Sequence, residues 1–148
     1  MPTKKEYRPW EEYPEFWPTE AKFWTYLRGG LRRGLWEKSP IKIDYKRQLL
    51  SKPPEGYTGR AKSGAICALT GEWTGNSNLE VDHVAGGKSL LSFEDILPFI
   101  MHMVPPKKSL QLVEKEAHKI KSYAERQGIT FEEAVVTKKV IALEKDKK

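Results

Sequence analysis

The chain has 148 residues, of which 39% are hydrophobic, and a formal net charge of +6. This length supports one modest core with appendages and excludes two large domains. No apolar run approaches the roughly 20 residues that span a bilayer, and the N-terminus lacks the apolar segment of a secretory signal, so we expect a soluble intracellular protein.

The N-terminal 18 residues carry five aromatic side chains among prolines and glutamates, with no helical or strand period. We expect an irregular arm whose aromatic rings pack against another surface. The next residues predict a helix entry, with Thr19 as the N-cap and Glu20 placed to suit the helix dipole. The helix should run to about Glu37.

This predicted helix has two faces. Apolar residues recur at spacings of three and four along one face, and arginines gather on another. Three glycines weaken the helix by up to about 1 kcal/mol each relative to alanine, so docking must supply its stability. The apolar residues are Phe23, Trp24, Leu27, Leu31 and Leu35, and the arginines are Arg28, Arg32 and Arg33.

Positive charge is concentrated in residues 20–63, which contain eleven lysines and arginines against four acidic residues. From residue 64 onward there are twelve of each. A basic segment interleaved with Trp and Tyr is typical of a nucleic-acid contact, although a solvated basic face has the same composition. Within the segment, IDYKRQLL predicts a second basic helix, and SKPPEGYTGRAKSG predicts a linker.

A more compact unit begins near Gly64. AICALTGEW predicts a short strand that ends in a turn at Gly71. LEVDHV predicts a second strand after the turn GNSN, so we expect these two strands to form a hairpin. Ser92 to Asp95 resembles a capping box and should start a short helix that ends at about Met103.

The remainder predicts one more strand and two helices. SLQLV is the strand, and EKEAHKIKSYAERQG is a helix that ends at Gly128. Thr130 to Glu133 is a capping box for the last helix, whose lysine-rich end should fray. The pattern predicts an α+β fold. The candidates for the core are Leu69, Trp73, Val81, Ile96, Phe99, Leu110, Leu112 and Ile120.

Two of the three histidines fall in positions suited to chemistry. His83 follows Asp82 at a strand end, and His118 lies on the helix after the next strand. Two strands and a helix in this order can bring Asp82 and His118 to one divalent ion and leave His83 as a base. The carboxylate suits Mg²⁺ or Mn²⁺, while imidazole favours softer ions. Taken singly, each residue is more often structural, with Asp82 capping a turn and both histidines facing solvent.

Five stretches resemble, in order, the motifs of the small HNH endonucleases encoded by bacteriophages. They cover residues 23–122 and read FWTYLRGGLRR, CALTGEW, VDH, SLLSFEDILPF and LQLVEKEAHKIKS. The resemblance implies a ββα metal-nuclease core at residues 64–128. Residues 1–63 would form an aromatic arm and a basic helical extension that contacts DNA, and residues 129–148 a C-terminal helix with a frayed basic tail.

The resemblance also assigns roles to single residues. It implies that Asp82 is the metal-binding carboxylate, that His83 is the general base and that His118 completes the metal site. His102 matches no functional position of the family. The middle Asn of the family motif is replaced by Ser109, which is a candidate for support of the loop or the metal.

The chain departs from the family at the two CxxC pairs that bind structural zinc. Cys67 is the only cysteine, so it forms no internal disulfide and no cysteine zinc site alone. Thr70, Glu114 and Ala117 stand at the other three positions. We therefore expect no structural zinc and a fold held by packing.

The function implied by the resemblance is metal-dependent hydrolysis of phosphodiester bonds in double-stranded DNA, by nicking or by double-strand cleavage. Mg²⁺ or Mn²⁺ is the expected cofactor, with Zn²⁺ or Ni²⁺ as candidates in vitro. The enzyme would be phage-encoded, with homing as one role, and would act in the cytoplasm of the infected bacterium. The residues expected to contact DNA are Arg28, Arg32, Arg33, Arg60, Lys62, Lys119 and Lys121.

Two alternatives remain open from the sequence. The first is a decayed HNH scaffold that binds nucleic acid or protein without catalysis, which the lost zinc ligands and Ser109 favour. The retention of Asp82, His83 and His118 opposes it. An enzyme acting on RNA or branched DNA is the other alternative, and the aromatic arm at residues 1–17 is a candidate contact for a phage protein partner.

Overall fold

The computed structural model describes residues 6–147 and has two compact units. The first comprises the described residues up to Ile41 together with Gly87–Pro105, and the second comprises Lys42–Gly86 and the described residues from Pro106 onward. Helices are combined with two separate antiparallel sheets of two strands each. The predicted α+β class is therefore confirmed. No helix of the described residues is long and apolar enough to cross a membrane.

The first unit is built on the predicted arginine-bearing helix. Helix α2 spans Glu20–Leu31 and continues without a break as a π-helical segment over Arg32–Glu37. The Thr19 hydroxyl accepts the bond from the Lys22 amide at 3.3 Å, which confirms the predicted N-cap. Packing of α2 against the rest of the unit compensates for the low helix propensity of its glycines, since Trp24 is only 2% exposed.

The aromatic arm contains a short helix, α1, at Pro9–Glu12. Its Trp10 ring lies 5.4 Å from the ring of Phe23 and 5.8 Å from that of Trp24, measured between centroids. The expectation that the arm packs its aromatic rings is thus confirmed, with α2 as the surface that receives them. Residues 1–5 of the arm lie outside the described part of the chain.

A further helix of this unit, α4, spans Ile96–Met103 and is preceded by one 3₁₀ turn. Ser92 makes no side-chain cap bond, so the predicted capping box is not formed. The carboxylate of Asp95 instead accepts a bond from the Leu91 amide at 2.9 Å, which turns it away from the helix entry.

The second unit contains both sheets. Strand β1, Gly64–Ile66, pairs with β2, Trp73–Gly75, and strand β3, Leu79–His83, pairs with β4, Leu110–Glu114. The predicted hairpin between AICALTGEW and LEVDHV is therefore wrong.

The reason lies in a tight turn inside AICALTGEW. The Gly71 amide bonds to the Cys67 carbonyl at 2.8 Å, and Gly71 has a φ of 75°, a left-handed conformation that favours glycine. The chain reverses there, and AICALTGEW forms its own small hairpin. LEVDH is left to pair with the later strand, where Val81 faces Leu112 in register.

The predicted second basic helix forms as α3, Pro40–Leu49, which begins three residues before IDYKRQLL. Its side chains bond to the sheet of β3 and β4. The Tyr45 hydroxyl donates to the Leu110 carbonyl at 3.0 Å, and Lys46 Nζ donates to the Leu79 carbonyl at 3.0 Å. The predicted linker after α3 is a closed loop, because Ser51 and Gly64 at its two ends exchange backbone hydrogen bonds of 2.7 and 3.0 Å.

The last two helices follow the sequence signals closely. Helix α5 spans Lys115–Gln127 and ends at Gly128 in the left-handed conformation. Helix α6 spans Phe131–Asp146, and both bonds of the predicted capping box form between Thr130 and Glu133, at 3.1 and 3.0 Å.

Half of the predicted core is buried. Val81, Phe99, Leu110 and Leu112 are buried, whereas the other four candidates are half-buried. Small side chains supply much of the remaining core. Buried residues that the prediction missed include Cys67, Leu79, Leu90, Val113, Ala117, Ala124 and Ala134.

Candidate active site

The site begins with two carboxylates on one face of β3. Because side chains alternate along a strand, Glu80 and Asp82 share a face, and this face meets helix α5. Asp82 is 8% exposed. Its Oδ1 lies 3.2 Å from Nε2 of His118 in the first turns of α5. The structure thus brings together the two residues predicted as metal ligands.

The other nitrogen of His118 has a partner that the sequence interpretation missed. Nδ1 of His118 lies 2.6 Å from Oε2 of Glu80. The imidazole ring therefore stands between two carboxylates, one at each nitrogen. Glu80 precedes Asp82 by two positions, and this strand spacing was the available signal.

The second oxygen of Asp82 is also occupied. Oδ2 accepts bonds from Gln111 Nε2 at 3.0 Å and from Lys121 Nζ at 2.6 Å. Gln111 lies opposite Asp82 in the register of β3 and β4, and Lys121 follows His118 by one helical turn. The strand register therefore places Gln111 beside Asp82, and the helix periodicity places Lys121 there.

Lys121 was predicted as a DNA contact, and the structure locates it within the site. Its side chain is 14% exposed, and Nζ also donates to the His83 carbonyl at 2.7 Å. Glu125, one turn further along α5, lies 3.3 Å from the same nitrogen. Lys121 thus ties α5 to the end of β3.

His83 occupies the last position of β3. It is half-buried and pairs in register with Leu110. Strand alternation directs its side chain to the face opposite Asp82. The structure therefore brings Asp82 and His118 into contact, whereas His83 is their neighbour through the strand backbone.

Ser109 supports the strand end through its backbone. Its carbonyl accepts a bond from the Val84 amide at 2.8 Å, which continues the β3–β4 ladder one step beyond His83. The Ser109 amide donates to the Pro106 carbonyl at 3.0 Å. Ser109 can therefore hold the loop in place through its backbone hydrogen bonds.

The donors of Asp82 and His118 suit a divalent ion. Two neighbouring ligands of an octahedral ion, each about 2.1 Å from it, lie about 3 Å apart, which is close to the observed separation of 3.2 Å. Among the described residues, no three His, Cys, Asp or Glu side chains converge as ligands. The protein would therefore supply two ligands, and water and phosphate oxygens the rest, as is usual for Mg²⁺.

The four positions that correspond to structural zinc ligands are neighbours in space. Cys67 and Ala117 belong to one buried cluster with Val113, against which Leu69 and Phe131 pack. The Glu114 amide donates to the Cys67 sulfur at 3.3 Å.

The Cys67 thiol sits in a polar shell despite its burial. Burial raises its pKa, but hydrogen bonds from Thr70 and from the Glu114 backbone outweigh this effect and lower the pKa overall. The Glu114 carboxylate is turned to Asn78, 3.4 Å away. One thiol, one hydroxyl and one methyl group do not make a tetrahedral zinc site.

Neither a family model, a curated protein nor a solved structure matches this chain. The chemistry open to the site therefore follows from its donors: an aspartate and an imidazole at ligand separation, a second carboxylate behind the imidazole, and a lysine beside the aspartate.

The remaining basic residues predicted to contact DNA are exposed. One group lies on α2 and the π-helical segment of the first unit, and the other lies in the closed loop and on α5 of the second unit. Lys119 forms an ion pair with Glu116 at 3.0 Å, and this hydrogen bond raises the pKa of Lys119. The exposed residues are Arg28, Arg32, Arg33, Arg60, Lys62 and Lys119.

Proposed function

We propose that this protein is a metal-dependent endonuclease of the HNH type, which hydrolyses phosphodiester bonds in DNA. The proposal rests on one contact: Oδ1 of Asp82 on β3 lies 3.2 Å from Nε2 of His118 on α5. These are the positions that hold the ion in the family that the sequence motifs resemble. Two side chains far apart in the chain have converged on the spacing of neighbouring metal ligands.

Two further features support the proposal. Strand β3, strand β4 and helix α5 come in the order expected of a ββα core, with helix α4 between the two strands. The positions that correspond to the family's zinc ligands gather around Cys67, although three of them carry other side chains. A decayed or repacked zinc knuckle explains why these scattered positions lie together.

The chemistry would be divided among a few side chains. Asp82 and His118 would hold a divalent ion, and such an ion would supply stabilisation of the negative charge on the phosphate and on the leaving 3′ oxygen. His83 points to the other face of β3 from Asp82, so it would act as base for a water that attacks the phosphorus from that side, opposite the leaving oxygen. Lys121, which lies beside Asp82, would add a positive charge near a phosphate bound at the ion. Arginines on α2 contribute affinity through phosphate contacts that carry no sequence information.

Plasmid nicking with Mg²⁺ or Mn²⁺ tests this function. We expect the wild type to nick DNA, and His83→Ala to lose at least about 100-fold in rate, the usual contribution of a general base. His102→Gln is the matched control, because this histidine has no assigned role, and it should retain activity. Equal rates for wild type and His83→Ala would overturn the role of His83. Failure of the wild type on every DNA tested would overturn the endonuclease.

A non-catalytic scaffold that binds nucleic acid or protein is the second candidate. Lys121 favours it, because its ammonium already neutralises Asp82 at 2.6 Å. Calorimetric titration with Mn²⁺ separates the two candidates. Binding that disappears in the variant Asp82→Ala/His118→Ala supports the endonuclease, whereas equal heats for the wild type and this variant support the scaffold.

A further inference from the structure

We infer that Glu80 is a positioning residue: it fixes the tautomer and the ring orientation of His118, so that Nε2 faces a divalent ion shared with Asp82. This inference deepens the proposed function and rests on its metal site. It adds a residue that precedes the VDH motif and that the motif does not include.

The imidazole ring of His118 lies between two carboxylates. Glu80 and Asp82 are two positions apart on β3 and face α5 together. Glu80 Oε2 lies 2.6 Å from Nδ1 of His118, and Asp82 Oδ1 lies 3.2 Å from Nε2. The strand fixes the spacing of the two oxygens, and the helix inserts the ring between them.

The contacts of His118 determine which of its ring nitrogens carries the hydrogen. A neutral imidazole has one N–H donor and one lone pair, and the contact at each nitrogen determines which is which. The separation of 2.6 Å between Nδ1 and the Glu80 carboxylate is that of a strong hydrogen bond to a charged acceptor. Nδ1 therefore carries the hydrogen, and Nε2 carries the lone pair.

The lone pair on Nε2 of His118 is directed at Asp82. Nε2 of His118 faces Oδ1 of Asp82 at 3.2 Å, so two acceptors point at each other. Two acceptors at this distance repel each other unless a proton or a metal ion lies between them. Metal-binding histidines usually donate their other N–H to a carboxylate or carbonyl, which fixes the tautomer and makes the ligand more basic. Glu80 occupies that outer position.

A purely structural role for Glu80 makes different predictions. The Glu80 side chain is 42% exposed, and an ion pair at such a site contributes little to stability. If Glu80 served only as a surface partner for α5, its removal would leave the tautomer of His118 unchanged. The position of the hydrogen on the His118 ring therefore distinguishes a positioning role of Glu80 from a purely structural one.

Nitrogen-15 NMR of the histidine rings measures that position directly. In the neutral ring of the metal-free wild type, we expect the hydrogen of His118 to lie on Nδ1. In Glu80→Ala the only carboxylate left beside the ring is Asp82, so the hydrogen should move to Nε2. Glu80→Gln keeps an acceptor oxygen and should retain the wild-type tautomer at least in part.

An unchanged tautomer in Glu80→Ala would overturn the inference. His118→Gln identifies the signals, because its spectrum lacks one ring. This measurement needs no metal and no substrate, so it tests Glu80 whether or not the protein cleaves DNA.

Titration with Mn²⁺, followed by calorimetry, tests the consequence for the ion. Loss of an outer partner of this kind weakens metal binding by about 10- to 100-fold, and we expect this loss in Glu80→Ala. Glu116→Ala is the matched control: it removes the same charge two positions before His118, and Glu116 pairs with Lys119 rather than with the ring. It should change the affinity by less than about twofold.

The outcomes of this titration are distinct. Equal weakening in Glu80→Ala and Glu116→Ala would show that charge rather than positioning is responsible, and would overturn the inference. No binding of Mn²⁺ by the wild type would overturn the proposed function, while the tautomer measurement would still decide the role of Glu80.

Discussion

The Lys121 ammonium lies 2.6 Å from the Asp82 carboxylate, and both side chains are largely removed from water, with 14% and 11% of their surfaces exposed. A buried carboxylate needs a compensating positive charge. Lys121 provides it at Oδ2, on the opposite side of the carboxylate from His118. A divalent ion held by Asp82 and His118 would therefore share one carboxylate with a lysine.

This sharing predicts the behaviour of Lys121→Met, which keeps the length of the side chain and removes its charge. We expect the variant to lose about 2 kcal/mol of unfolding free energy, the typical contribution of a hydrogen bond to a charged group. Mn²⁺ should raise the melting temperature more in the variant than in the wild type, because the ion replaces the missing charge and binds only the folded state. Thermal unfolding with and without Mn²⁺ measures both effects.

Lys119→Met is the matched control for this experiment. Lys119 lies on the same helix, but its side chain is 73% exposed and is paired with Glu116. The substitution should leave both the stability and the response to Mn²⁺ nearly unchanged. If Mn²⁺ stabilises Lys121→Met and the wild type equally, then Lys121 and the ion do not share Asp82.

Helices were predictable from the sequence because their signals are local. The Thr19 cap, the left-handed Gly128 and the reciprocal bonds of Thr130 and Glu133 each involve residues within one turn of the helix end. Ser92 shows the limit of this logic. Its local pattern is the same, but its side chain makes no cap bond, and Asp95 accepts a bond from the Leu91 amide instead.

Strand pairing was not predictable in the same way, and part of the site depended on it. The turn at Gly71 closed a hairpin within one predicted strand, so β3 paired with a strand far along the chain. Asp82 and His118 could be proposed from a motif alone. Their partners Glu80, Gln111 and Lys121 became visible only when the β3–β4 register and the face covered by α5 were known.

Cysteines placed at the positions where the HNH family binds structural zinc should create a zinc site in this chain. In Thr70→Cys/Glu114→Cys/Ala117→Cys, three thiols are added around Cys67, whose sulfur is already within 3.3 Å of the Glu114 amide. We expect binding of one Zn²⁺ per chain and a higher melting temperature, because metal binding to a folded site adds to folding free energy. Zinc titration with a colorimetric chelator, together with thermal unfolding, measures the result.

The control for this design adds Cys67→Ser to the same three substitutions. Three thiolates and a hydroxyl should bind Zn²⁺ far more weakly than four thiolates. Equal zinc affinity in the two variants would mean that Cys67 does not share a site with the other three positions, and would weaken the resemblance to the HNH family.

Asp44 should make the attachment of α3 sensitive to acid. A hydrogen bond from Lys107 at 2.6 Å, and a second from Arg47, lower the pKa of the Asp44 carboxyl below its ordinary value of 3.8. A carboxyl with a lowered pKa in the folded state stabilises that state above the unfolded value, and this stabilisation is lost as the pH falls through the folded value. Melting temperatures measured between about pH 7 and pH 2 should therefore fall less steeply for Asp44→Asn than for the wild type. Parallel curves would contradict this role.

The arginine face of α2 and its π-helical continuation should set the salt dependence of DNA binding. Arg28, Arg32 and Arg33 are exposed. Each phosphate contact contributes about 0.9 to the slope of log affinity against log salt, so Arg28→Gln/Arg32→Gln/Arg33→Gln should reduce the slope by up to about 2.7 and weaken binding to all sequences alike. Fluorescence anisotropy with duplex DNA over a salt series measures the slope.

A variant with the same loss of charge separates contact from net charge. Lys139, Lys145 and Lys147 are exposed on or just beyond α6, outside the predicted DNA contacts. Their joint replacement by glutamine removes three positive charges without removing a proposed phosphate contact, so the slope should stay close to that of the wild type. If both variants reduce the slope equally, DNA responds to the overall charge of the chain and the arginine face is not its binding surface. A reduction confined to the arginine variant would place the phosphates on α2, because counterion release counts only the charges that lie against the backbone.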